Sequence, residues 1–95
     1  MDLVVRGIIE QYIDFALSDQ QMMGYRRYIE GIKPFAKSID DAILGLVIGL
    51  ITASCLDQLI FYNRGNPVPE DMIDLQRIII DKIPKIKSRI SETFT

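Results

Sequence analysis

Apolar residues recur at three- and four-residue intervals along nearly the whole chain, and no stretch sustains strict alternation. That period predicts helices and no sheet. From Asp2 to Leu17, Val5, Ile8, Ile9, Tyr12, Phe15 and Ala16 fall at helical spacing, with Arg6, Glu10 and Asp14 on another side. Ser18 followed by Gln21 reads as a capping box. It opens a second helix from Asp19 to about Ile32, with Met22, Tyr25, Ile29 and Ile32 on one face and Gly31 and Pro34 at its close. Ser38, with Asp40 and Asp41 in the turn behind it, marks a third start. This third helix is expected to be long, from Ile39 to about Tyr62. Arg64-Gly65-Asn66-Pro67-Val68-Pro69 is dense in turn formers, and Pro69 suits the first position of a fourth helix. Its stripe is Met72, Leu75, Ile79, Ile83, Ile86 and Ile90. Pro84 removes the hydrogen bond to the carbonyl of Ile80, so a kink or break is expected there. The triplet Ile78-Ile79-Ile80 is the one place a strand could form, but its neighbours keep helical spacing. The reading is a single all-α domain over residues 1–95, a four-helix, largely antiparallel bundle.

One run stands apart. Residues 42–56, fifteen in all, carry no charge, and within them Gly45, Gly49 and Ala53 recur every fourth position. On a helix they form a smooth strip along which another backbone can approach closely. The run must be covered by another helix of its own chain, by a second copy, or by lipid. A spanning helix needs about 20 apolar residues. Extending the run to Tyr62 takes in Asp57 and Gln58, and its flanks are Asp40 and Asp41 on one side and a lone Arg64 on the other. That is a poor orientation signal for a membrane. Aqueous burial is therefore expected. For pairing with a second copy, the seam would comprise Gly45, Gly49, Ala53 and Leu56 of the third helix with Met72, Leu75, Ile79 and Ile83 of the fourth.

Composition sharpens this picture. The chain has 95 residues, of which 48% are apolar, whereas a domain of this size hides only about 60–65% of its unfolded surface. The surplus points to self-association, so a homodimer is the expected partner. Net charge is −2, which argues against non-specific binding to nucleic acid and suits a protein partner with a basic surface. Tyr25-Arg26-Arg27-Tyr28 mixes cations with aromatics but is too short to carry nucleic-acid recognition by itself. Acids gather at the start of the fourth helix (Glu70, Asp71, Asp74) and bases at its end (Lys82, Lys85, Lys87, Arg89), as the helix dipole prefers.

Candidate chemistry is sparse. Histidine is absent, which removes the commonest general base and transition-metal ligand. No catalytic residue, cofactor site or metal site is expected, and no enzyme. The carboxylate pairs Glu10/Asp14, Asp40/Asp41 and Asp71/Asp74 read as solvated faces. Cys55, the one cysteine, lies in the apolar run, where a thiol is quiet; should the third helix lie on a two-fold axis, Cys55 would sit near its own copy. A single thiol and an N-terminus without a basic leader or an uninterrupted apolar stretch fit a cytoplasmic protein. Met22, Met23, Tyr12, Tyr25 and Phe35 are soft or amphipathic residues clustered in the first half. With Ile29 they suit ordinary core packing first, and otherwise an apolar pocket lined by Tyr12, Met22, Tyr25 and Ile29.

The segment SIDDAILGLVIGLITASCLDQLIF, followed by NPVPEDMIDLQRIIIDKI, resembles the last two long helices of tetracycline-repressor-type transcription regulators. In that family a helix with small residues at its centre, a short proline-containing loop and a second amphipathic helix form a four-helix dimer interface. The preceding IIEQYIDFALSDQQMMGYRRYI is similar in character to the family's ligand-pocket helices. The resemblance spans residues 8–83 and rests on pattern. It implies a dimerisation and effector-binding half without the helix-turn-helix that reads DNA. The expected function is a non-enzymatic dimerisation module with an apolar pocket. The alternatives are a small acidic monomer that binds another protein, as an inhibitor, immunity factor or assembly subunit, and a membrane-associated helical protein.

Overall fold

Helix starts and stops decide where each element lies, and most are visible in the side chains. The structure, a computed structural model, describes residues 1–94. It contains α1 (Leu3–Ala16), α2 (Asp19–Ile32), α3 (Ile39–Asn63) and α4 (Pro69–Phe94), with a 3-10 turn at Lys33–Phe35, and no strand among the described residues. Asp2 caps α1, its Oδ1 accepting from Val4 N at 2.7 Å. Ser38 caps α3 in the same way, accepting from Asp41 N at 3.3 Å, and Pro69 opens α4. The capping box expected at Ser18 does not form. Its Oγ is buried and makes no hydrogen bond among the described residues.

Two features depart from simple stop rules. α3 ends on Arg64, held in the left-handed region at φ 55°, ψ 37°, although the glycine that tolerates this backbone without a Cβ penalty is its neighbour Gly65. Both Arg64 N and Gly65 N donate to the carbonyl of Ile60, which closes the last turn. Of the kink or break expected at Pro84, no break occurs, and α4 runs through the proline. Ile80 and Pro84 both lie on the exposed side of the helix, so water can reach the carbonyl that the proline leaves without a partner.

α3 packs against each of the other three helices. Its buried positions are Ile43, Val47, Ile51, Cys55 and Leu59, a ridge at strict four-residue spacing. Against it lie Ile9, Ile13 and Ala16 of α1, Met22, Tyr25 and Ile29 of α2, and Leu75, Ile78, Ile79 and Ile86 of α4. Ile13 was not part of the expected stripe, and Phe15, which was, is exposed: the contact surface of α1 is centred about a sixth of a turn from the predicted one.

Polar contacts give the directions. The Met1 ammonium meets Asp74 at 2.6 Å, Lys85 Nζ meets Asp14 at 2.6 Å, and Arg89 Nε donates to Leu17 O at 2.9 Å. Rising numbers on α1 therefore match rising numbers on α4, and these two run parallel. Asn63 Nδ2 donates to Asp71 at 3.0 Å across the connecting loop, and Asp41 shares a cleft with Lys87 and Ile90, so α3 and α4 form an antiparallel hairpin. The molecule measures 40 × 23 × 20 Å. A helix of the length of α3 spans about 37 Å, and α1 and α2 about 21 Å each. The two short helices thus share one side of the long hairpin, leaving its other side uncovered.

Two predictions follow from the helix ends. Arg64→Gly relieves the left-handed backbone and is expected to raise stability by about 0.5–1 kcal/mol in urea unfolding; an unchanged or lowered midpoint contradicts the strain. Ser38→Ala removes a working cap and is expected to cost about 1 kcal/mol. In the same assay Ser18→Ala costs less than about half of that, because its hydroxyl caps nothing.

Candidate functional site

One side of α3 is exposed along most of its length. Gly45, Gly49 and Ala53 all lie on the outer face, opposite the buried ridge. A Cβ placed on either glycine meets nothing within 4 Å. Nothing in the chain itself therefore requires these two positions to be small. Each glycine costs a helix interior roughly 1 kcal/mol relative to alanine. Of the three covers open to the strip, another helix of the same chain does not supply it, because α1, α2 and α4 all sit on the ridge side.

The rest of the expected seam divides. Leu56, Met72 and Ile83 are half-buried at the flanks, whereas Leu75 and Ile79 are buried in the core of the chain and present no surface to a second copy. The apolar positions that α4 does expose are Ile73 and Ile80. They lie on the flank turned away from Asp74, Lys85 and Arg89, the residues that engage the α1 side. Leu50, Ile60 and Phe61 extend the apolar exposure along α3. Over its most apolar eighteen-residue window α3 has a mean hydropathy of 2.0, and only 28% of that window is buried. By length and composition alone this helix could cross a membrane. Asp57 lies exposed in line with the strip, one further step of four residues along.

The apolar pocket expected in the first half is filled. Met22, Tyr25 and Ile29 are core residues, and Tyr12, half-buried, packs against the core they belong to. Tyr25 donates its hydroxyl to the carbonyl of Ala16 at 2.8 Å, which ties α2 back to the end of α1. Burial pushes its pKa up. Met23 and Phe35, grouped with these by sequence, point outward instead. A cleft of about 320 Å³ lies elsewhere, between the start of α3 and the end of α4. Leu44, Ile90 and Phe94 give it an apolar wall, and Asp40, Asp41 and Lys87 a charged rim. The sequence offered no sign of it, because it joins residues about fifty positions apart that only the hairpin brings together.

Two of the three carboxylate pairs, Glu10/Asp14 and Asp71/Asp74, are engaged in contacts within the chain, whereas Asp40 and Asp41 line the rim of the cleft. Glu10 pairs with Arg6 at 3.5 Å, Asp14 with Lys85, and Asp71 with Asn63. The Met1 ammonium donates to Asp74 and holds its carboxyl below the usual range. Among the described residues no group of three or more acidic or cysteine side chains could hold a metal ion. Cys55 belongs to the buried ridge rather than to the strip, so a copy seated on the strip does not bring the two thiols together. Desolvation pushes its pKa up to about 11.

For a thiol whose pKa rises on folding, the stabilising contribution is complete below the unfolded value and lost as the pH climbs through the folded one. Cys55 is thus expected to destabilise the fold only in alkali, and a Cys55→Ala variant loses that part of the alkaline decline. At neutral pH its labelling by a thiol reagent is expected to track unfolding; labelling of the native protein at the rate of a free thiol contradicts its place in the core. Compared with known protein families, with curated proteins and with solved structures, the chain finds no match in any of the three.

Proposed function

We propose that this chain is a non-enzymatic helical module that pairs with a second copy of itself across the uncovered side of the α3–α4 hairpin. The observation that carries this reading is the outward placement of Gly45, Gly49 and Ala53 in a helix whose own fold makes no use of their smallness. Two glycines inside a long helix are a cost, and a close approach by another backbone is what offsets it. Leu56 and Ile60 of α3, with Ile73 and Ile80 of α4, supply apolar contacts on either side of the strip. Leu75 and Ile79 take no part, since they hold the hairpin together from within.

The likeness to the dimerising half of tetracycline-repressor-type regulators belongs to the same proposal. There too a hairpin of two long helices pairs with its copy. The pocket of that family has no counterpart here in Tyr12, Met22, Tyr25 and Ile29, which pack solidly. An effector role, if one accompanies pairing, falls to the cleft between Leu44 and Ile90.

Solution mass tests the pairing directly. Light scattering coupled to size exclusion, without detergent, is expected to give twice the mass of one chain, with a Tm that rises with concentration. Gly49→Leu is the informative variant. Its side chain meets open space within one chain, so each monomer keeps its helical content and gains about 0.5–1 kcal/mol of helix propensity. Between two copies the same side chain holds the backbones apart, so the dimer weakens by about tenfold or more. A variant that is only more stable, with its mass unchanged, overturns the seam. A wild-type chain of single mass favours the acidic monomer that binds another protein, and a chain soluble only in detergent favours insertion of α3 into lipid.

A further inference from the structure

Net charge conceals a second surface. Between Met23 and Lys37 the chain carries four cations (Arg26, Arg27, Lys33, Lys37) and one acid (Glu30), a local charge of +3 that leaves −5 for the remainder of a chain of net −2. Glu30 is engaged by Lys33 at 3.1 Å. Arg26, Arg27 and Lys37 have no ion-pair partner among the described residues, and all three are exposed. The same fifteen positions hold three strongly exposed apolar side chains: Phe35 at 88%, Met23 at 67% and Tyr28 at 65%.

Their arrangement is set by the fold. α2 buries Met22, Tyr25 and Ile29, which turns Met23 and Arg27 to the centre of its outer face, with Arg26 and Tyr28 on opposite flanks. Met23, Arg26, Arg27 and Glu30 line a shallow groove there. Beyond the helix, Pro34 fixes the 3-10 turn, and Ala36 N donates to Lys33 O to close it, which leaves Phe35 outermost. Phe35 therefore projects between Lys33 and Lys37 along the chain.

We propose that the outer face of α2 and the turn that follows it dock on an anionic lipid bilayer, with Phe35 and Met23 entering the headgroup region while Arg26, Arg27 and Lys37 hold the headgroup charges. Charge complementarity names the occupant: an anionic surface attracts juxtaposed cations, each contributing about fivefold in affinity, and exposed apolar tips among them gain by leaving water. Nucleic acid is less well served. Tyr25, the aromatic one turn from Tyr28, is buried and bonded to Ala16, so the Tyr25–Tyr28 pair does not present two stacking faces on α2. This surface lies on the covered side of the hairpin and is independent of pairing through α3.

The full chain is to be sedimented with phosphatidylcholine vesicles, with and without phosphatidylserine, at low and high salt. Binding is expected only with phosphatidylserine and is released by high salt. The double variant Arg26→Gln/Arg27→Gln is expected to bind about tenfold more weakly or worse, and Phe35→Ser about fivefold more weakly. Both alter exposed positions, so an unchanged far-ultraviolet circular dichroism spectrum certifies the fold. Equal binding to both kinds of vesicle, or none to either, overturns the proposal. So does phosphatidylserine binding that both variants retain, and so does membrane association that resists salt and yields only to detergent, which would assign it to α3. Binding to a single-stranded oligonucleotide without binding to vesicles also overturns it.

Discussion

Everything in this fold hangs on one side of one helix. Ile43, Val47, Ile51, Cys55 and Leu59 form the ridge onto which α1, α2 and α4 close, and no other helix touches all three of its companions so extensively. α3 is apolar almost all the way round, so its sequence by itself does not say which side turns inward. The decision is made by the partners. Isoleucine, leucine and valine fill the ridge, whereas the strip at its back offers glycine and alanine, with little side chain to bury. Burial of large apolar groups stabilises in proportion to area, so the bulky side faces the core and the smooth side faces out.

The polar contacts act as alignment rather than as strength. Lys85 with Asp14 and Arg89 with Asp19 and Glu92 are exposed pairs of the kind that contribute little. Arg89 is different in one respect: its Nε also takes the carbonyl of Leu17, at the end of α1, while its other nitrogens reach Asp19 and Glu92. A single guanidinium thus joins the end of α1, the start of α2 and the last turns of α4, a use of its fork that a lysine cannot reproduce. It fixes how the two short helices share the side of the hairpin.

Three of the four helices were legible from their starts, which carry local chemistry: Ser38 ahead of two aspartates, Pro69 ahead of two acids, Ser18 ahead of Asp19; α1 was legible from its spacing. Their buried faces were legible where the helix is amphipathic. Met22, Tyr25 and Ile29 in α2, and Leu75, Ile79 and Ile86 in α4, lie inside as their spacing requires. What was not legible depends on neighbours distant in sequence. Ser18 has the residue type and backbone of a cap, yet its hydroxyl is turned inward by the packing around the α1–α2 joint. Phe15 and Ile13 differ by a rotation of α1 that is set by the helices packed on it, α3 above all. Pro84 is tolerated because its side of α4 happens to face water. The small-residue strip itself was visible at once, but whether the chain covers it was a question about the other helices.

The four-residue spacing of the ridge has a geometric consequence. Each step of four advances about 40° around a helix with 3.6 residues per turn, so from Ile43 to Leu59 the buried line winds nearly half way around α3. The strip of Gly45, Gly49 and Ala53 winds with it. A helix that beds its own i, i+4 row into such a spiral groove cannot run alongside; ridges of this kind mesh at an interaxial angle of about −50°. In the pairing proposed above, contact is then closest where the two axes cross, near Gly49, and thins towards Ile60. The geometry is that of an X rather than of a twisted pair of ropes.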